Sequence, residues 1–321
     1  METWIAAAVL VLVAVAGAPL FSIIAAIGLL AFHAAGIDTA ALIAELYRLV
    51  DFPALIAIPL FTFAGYLLAE SQGPRRLVSL AQALFGWIPG GLAVVAIFTT
   101  AIFTAFSGAS GVTIIALGGL IFPSLLKQGY PQRFSLGLMT TSGSLGLLFP
   151  PSLPIILYSI VAGVSIDKLF AAGLVPGLLL ILILCAYSIR VGIAARVPRS
   201  PFRLGEVARA LKDAAWEVPL PIVVIGGIYG GFITATEAAA LTALYLLLVE
   251  VVIRREITPF RGLARVTRES MLLVGAILVM LGAAMGVTSY IIDQQIPMKL
   301  FAFVSSFVNS KLVFLIILNI F

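Results

Sequence analysis

The residues best suited to binding chemistry are small and uncharged, and they form two clusters inside apolar sequence. One is Ser107-Gly108-Ala109-Ser110-Gly111; the other runs from Gly143-Ser144-Leu145-Gly146 to Phe149-Pro150-Pro151-Ser152. The hydroxyls of Ser107, Ser110 and Thr113 and any freed backbone carbonyls are neutral oxygen donors of the kind that hold a hard cation. N–H groups at a helix start attract an anion. Glycines allow positive φ and the close approach of a second backbone. Pro151 has no N–H and drives Pro150 out of helical geometry, so a helix has to stop there. On this reading Ser107, Gly108, Gly143, Gly146 and Pro150 hold a cation mainly through carbonyls, while Ser110, Thr113, Ser144 and Ser152 contact a substrate. Ordinary small-residue packing and a plain proline kink are the competing explanations.

These clusters need elements that tolerate broken backbone at membrane depth. Hydrophobic residues make up 62% of the 321 residues and charged residues 10%, with a mean hydropathy of +1.20. That balance belongs to an all-α polytopic membrane protein lying in the lipid bilayer. Hydrocarbon offers no partner for freed N–H and C=O groups, so a break survives only where protein buries it or where it lines a polar cavity. The start, METWIAAAVLVLVAVAG, lacks a basic leader and reads as a first span. The lone Cys185 excludes an internal disulfide. The net charge of +5 sits in short loops and does not indicate nucleic acid.

Apolar segments fall at 3–17, 19–35, 53–70, 88–125, 135–162, 170–189, 214–229, 236–253, 270–291 and 301–321. The segment 88–125 is too long for one span and reads as a re-entrant hairpin; 135–162 reads as one discontinuous span. With the N-terminus outside, fifteen of the nineteen Lys and Arg residues then fall in cytoplasmic loops, as the positive-inside rule requires. A weak repeat relates 64–74 to 286–297: apolar helix, acidic exit, Gln, then Pro. The repeats would be inverted, the first covering 1–212 and an incomplete second 213–321. The second hairpin would begin near residue 309. That register predicts about one hundred further residues beyond this sequence, and no transport by this chain alone.

FTFAGYLLAESQGPRRLVSLAQALFGWIPGGLA, FSGASGVTIIALGGLIFPSLLKQGYP, GSLGLLFPPSLPIILYS and GGIYGGFITATEAAA, in that order, resemble the large membrane subunit of TRAP (tripartite ATP-independent periplasmic) transporters. The resemblance implies an inverted-repeat, elevator-type secondary transporter in the bacterial inner membrane, with sodium as coupling ion at the carbonyl cluster. It also implies two partners: a small four-helix membrane subunit, and a periplasmic binding protein that delivers an organic acid anion. Bulky replacements at Gly108 or Gly146 are then expected to abolish uptake and spare expression.

Two rivals have different chemistry. A stand-alone sodium/dicarboxylate symporter would share the architecture. An intramembrane serine protease would use Gly108-Ala109-Ser110-Gly111, but it needs a base, and the only histidine is His33. Thr234-Ala235-Thr236-Glu237 reads as a capping box rather than a carboxylate relay. The segment 38–50 reads as an interfacial amphipathic arm. No Walker loop, metal-ligand cluster or acid pair stands in the sequence, so the chain is read as a non-enzyme without a cofactor.

Overall fold

The computed structural model describes residues 2–199, 201–308 and 310–320, and these form helices and turns only. In chain order the helices are α1 (Glu2–Val15), α2 (Leu20–Ala34), α3 (Ala40–Arg48), α4 (Ala57–Glu70), α5 (Gly73–Phe85), α6 (Gly91–Ser107), α7 (Ser110–Lys127) and α8 (Gln132–Leu145). They continue as α9 (Leu153–Ala162), α10 (Ile166–Ala194), α11 (Leu204–Asp213), α12 (Pro219–Tyr229), α13 (Ala235–Leu247), α14 (Arg261–Asp293), α15 (Ile296–Phe307) and α16 (Lys311–Ile320). They group into two compact units, Met1–Asp51 with Ala276–Phe321, and Phe52–Gly275.

Both expected breaks are present. The segment 88–125 divides at Gly108-Ala109 into α6 and α7. The discontinuous span begins at Gln132, bends by 47°, and resumes at Leu153. Among the described residues, five helices are long and apolar enough to cross a membrane, or six with the bent pair.

The expected spans 53–70, 170–189, 236–253 and 270–291 fall on helices long and apolar enough to cross a membrane, whereas others are shorter than expected. α1, α2 and α12 have 14, 15 and 11 residues. At 1.5 Å per residue each falls short of the roughly 30 Å hydrocarbon core. Pro219 and Pro221 confine α12 at its start, and Gly230-Gly231 ends it. The expected single span 301–321 is instead α15 and α16. The Ser305 and Ser306 hydroxyls donate back to the Ala302 and Phe303 carbonyls at 3.0 and 2.6 Å, and Val308 is extended. Residue 309, where a second hairpin was expected to begin, lies outside the described residues.

In the first unit, the arm read from 38–50 is the short α3. Its Leu42 is buried against Gly28 of α2 and Gly286 of α14, and its Leu46 packs on Gly282. The face expected to meet lipid therefore packs on glycines, which leave room for it. Ser289 donates to Glu45 at 3.1 Å, and Glu45 pairs with Arg48 at 3.0 Å.

In the second unit α6 is the central post, packed by α4, α5, α7, α8 and α10. All its residues are buried except Phe98 and Ile102, as suits a helix apolar all round. α7 is different: Leu117, Ile121 and Leu125 are buried, while Gly111, Ile115, Gly119 and Pro123 form an exposed stripe at four-residue spacing.

Candidate functional site

The hairpin turns because Gly108 takes the left-handed conformation (φ +64°), which other residues reach only at a cost. Its N–H closes the last turn of α6 on the Thr104 carbonyl at 2.8 Å. Ala109 is extended, and α7 starts at Ser110 with no side-chain cap, leaving its first N–H groups available at the tip. α4 makes space for this tip: a Cβ at Gly65 would collide with Ser107 Cα and stand 2.9 Å from the Phe106 carbonyl.

The second break comes to the same place. α8 ends at Leu145, a 3₁₀ turn follows over Gly146–Leu148, and Phe149 is extended before the cis Pro150-Pro151 bond. Gly146 lies against the backbone of α6 so closely that a Cβ would stand 2.6 Å from the Ala105 nitrogen. Thr104 links the two breaks. Its Oγ1 is 2.9 Å from the Gly143 carbonyl and 2.9 Å from Thr113 Oγ1. Thr113 Oγ1 in turn lies 3.1 Å from Ser107 Oγ and 3.3 Å from the Ala109 carbonyl. Thr104, Ser107 and Thr113 are fully buried. The result is a buried cluster of three hydroxyls and two carbonyls with no formal charge, neutral oxygens of the kind that hard cations take as ligands.

The structure thus brings together Ser107, Gly108, Thr113, Gly143 and Gly146. Ser110 is half-buried at the tip. Ser152 is fully buried, and neither its hydroxyl nor that of Ser142 meets a hydrogen-bond partner among the described residues. Two of the expected residues lie apart from the cluster. Ser144 is exposed and donates to the Thr141 carbonyl of its own helix at 2.8 Å. Pro150 borders an apolar recess of about 110 Å³, with Phe98, Ile102, Phe149, Ile181 and Pro221. The sequence reading missed Thr104, although it stands one turn before Ser107 on the same helix face. Among the described residues no group of three or more His, Cys, Asp or Glu is placed to hold a metal ion.

Glu237 is a cap, as expected. It is exposed; its Oε2 accepts from the Thr234 N–H at 2.7 Å, and its own N–H donates to Thr234 Oγ1 at 3.2 Å.

Comparison with known proteins supplies the wider context. A family model described as "Tripartite ATP-independent periplasmic transporter, DctM component" matches residues 5–321. The chain is 38% identical over 247 residues to the ectoine TRAP transporter large permease protein TeaC of Halomonas elongata, covering 76% of this chain and 57% of that protein. It is 34% identical over 277 residues to the C4-dicarboxylate TRAP transporter large permease protein DctM of Pseudomonas aeruginosa, covering 86% and 65%. With the Vibrio cholerae protein of that same name it shares 38% over 213 residues, covering 64% and 46%. The chain therefore spans about half to two thirds of the length of these relatives.

Proposed function

The chain belongs to the family of DctM components of tripartite ATP-independent periplasmic transporters, and from that premise we propose that it forms part of the path of a sodium-coupled importer for a small carboxylate-bearing solute. A periplasmic binding protein delivers the solute, a small four-helix membrane subunit braces the large one, and the complex resides in the bacterial inner membrane. The transport-competent element moves as an elevator and carries the two broken helices with it. Relatives named for ectoine and for C4-dicarboxylates support a carboxylate-bearing solute, since both compounds carry that group.

One observation carries the reading: Thr104 joins the hairpin side to the Gly143 carbonyl of the broken span. Two helix ends meeting in a buried, uncharged oxygen cluster suit a sodium ion that leaves its water behind. The Thr104, Ser107 and Thr113 hydroxyls and the Ala109 and Gly143 carbonyls supply that cluster, Gly108 and Gly146 let the two breaks close on it, and Ser110 and Ser152 are kept for the solute. Ser144 and Pro150, expected in the same set, stay as outer candidates. The division into inverted repeats, 1–212 and 213–321, is supported by matching exits. α4 ends at Glu70 and α14 at Asp293, and each is followed by a helix with proline in its first turn.

The test is uptake of labelled succinate and of ectoine into proteoliposomes holding the complete permease, its small subunit and its binding protein. Uptake should require an inward sodium gradient and the binding protein. Equal uptake in sodium-free medium would sink the proposal.

A further inference from the structure

Away from that site, the second unit encloses five charged side chains at one end of α13. Arg76, in the first turn of α5, is the hub. Its Nε donates to Glu217 Oε1 at 2.7 Å and its Nη1 to Glu256 Oε1 at 2.5 Å, while Nη2 lies 3.6 Å from Glu250 Oε1. Glu256 also accepts from the Gln72 N–H at 2.7 Å. Arg254 donates to the Asp213 carbonyl at 2.6 Å and stands 3.9 Å from Glu217 Oε2. Three corners of the chain, 71–76, 213–217 and 250–256, are tied together here.

The charges do not balance. Two guanidinium groups face three carboxyls. Glu217 and Glu256 are the ion-paired ones. Burial pushes Glu256 up, but the Arg76 hydrogen bond, the Gln72 N–H and the two arginine charges outweigh it and hold its carboxyl below the ordinary range. Glu250 is left over. Its side chain is 0% exposed, and neither of its oxygens meets a hydrogen-bond donor among the described residues. A buried carboxylate that meets no donor, and whose nearest cation, Arg76 at 3.6 Å, is already shared by Glu217 and Glu256, is costly to keep charged, and such a group neutralises instead.

We propose that Glu250 is a proton-binding site, whose bound proton leaves the cluster neutral and the three corners closed. Glu250 sits in the π-helical turn Leu248–Ile253 that continues α13; the groups facing it are Arg76 from α5, Glu217 from the α11–α12 corner, Tyr245 from α13, and Arg254 and Glu256 from the segment after the turn. A sodium ion is a poorer fit, because it would need several oxygens while lying beside the Arg76 cation. In the unfolded chain Glu250 meets water and releases its proton in the ordinary carboxylate range. The folded protein then binds one proton more than the unfolded, so stability falls as pH rises.

The experiment is infrared spectroscopy and thermal unfolding of the purified protein in lipid nanodiscs. At neutral pH a protonated-carboxyl C=O band should appear, shift in D₂O, vanish in Glu250→Gln and persist in the exposed-site control Glu206→Gln. The wild-type melting temperature should fall as pH rises above the ordinary carboxylate range, and Glu250→Gln should lose that dependence while folding normally. Glu217→Gln, which removes an ion-paired carboxylate, should melt lower than wild type across the range. Three results would each overturn the proposal: no such band at neutral pH, failure of Glu250→Gln to fold, or a sodium-dependent rise in melting temperature that Glu250→Gln abolishes.

Discussion

Thr104 has one hydroxyl proton and two acceptors at 2.9 Å, the Gly143 carbonyl and Thr113 Oγ1. It holds the broken span to the hairpin. Thr104→Val keeps the shape and removes the oxygen. Its expected cost in folding is about 1 kcal/mol. Apparent sodium affinity in uptake assays should weaken roughly tenfold, about 1.4 kcal/mol; unchanged affinity would remove Thr104 from the site. Gly146→Leu behaves differently from the sequence-based expectation that expression is spared. Its side chain meets α6 backbone, which cannot shift as a side chain can, so overpacking of about 1–3 kcal/mol or more should lower yield as well as transport. Gly108→Leu first meets a side chain, Leu153, but its position also needs a left-handed backbone. Yields of the two variants by fluorescence-detected gel filtration separate these cases.

At the scale of elements, the capping box of α13 gives a local test. Thr234→Ala removes the acceptor of the Glu237 N–H and should lower stability by about 1 kcal/mol, read as a small drop in melting temperature with transport retained. Loss of transport at normal stability would mean that this carboxylate does more than cap. Features fixed by local chemistry were legible in the sequence: the turn at Gly108, the stop around Pro150-Pro151, the cap at Thr234. Features fixed by distant packing were not. Nothing near Thr104 announces that a carbonyl 39 residues later will meet it. The division of 301–321 is not announced by its serines, because hydroxyls that bond back to their own helix, as those of Ser305 and Ser306 do, occur in intact helices too. The apolar face of α3 reads equally well as lipid-facing or protein-facing, and only the glycines at 28, 282 and 286 decide between them.

For the whole molecule, the re-entrant reading of 88–125 makes both ends of the hairpin open on one side of the membrane. Cys185 is the sole cysteine, so a Cys185→Ser background is clean for labelling. Trp87→Cys and Gln128→Cys should both react with a membrane-impermeant maleimide from the cytoplasmic side only. Labelling from opposite sides would make the segment an ordinary crossing and reverse the orientation of the loops that follow. The two legs of that hairpin differ mechanically as well. α6 is gripped along its length by five helices, whereas α7 is held on one face and bare along Gly111, Ile115, Gly119 and Pro123. A post and a compliant arm meet at Gly108-Ala109. Were α7 to bend under a sideways load, Thr113 would be the hydroxyl to leave the cluster, while Thr104 would keep its hold on Gly143. In that motion the oxygen cluster would open from the α7 side, like a jaw with one fixed plate.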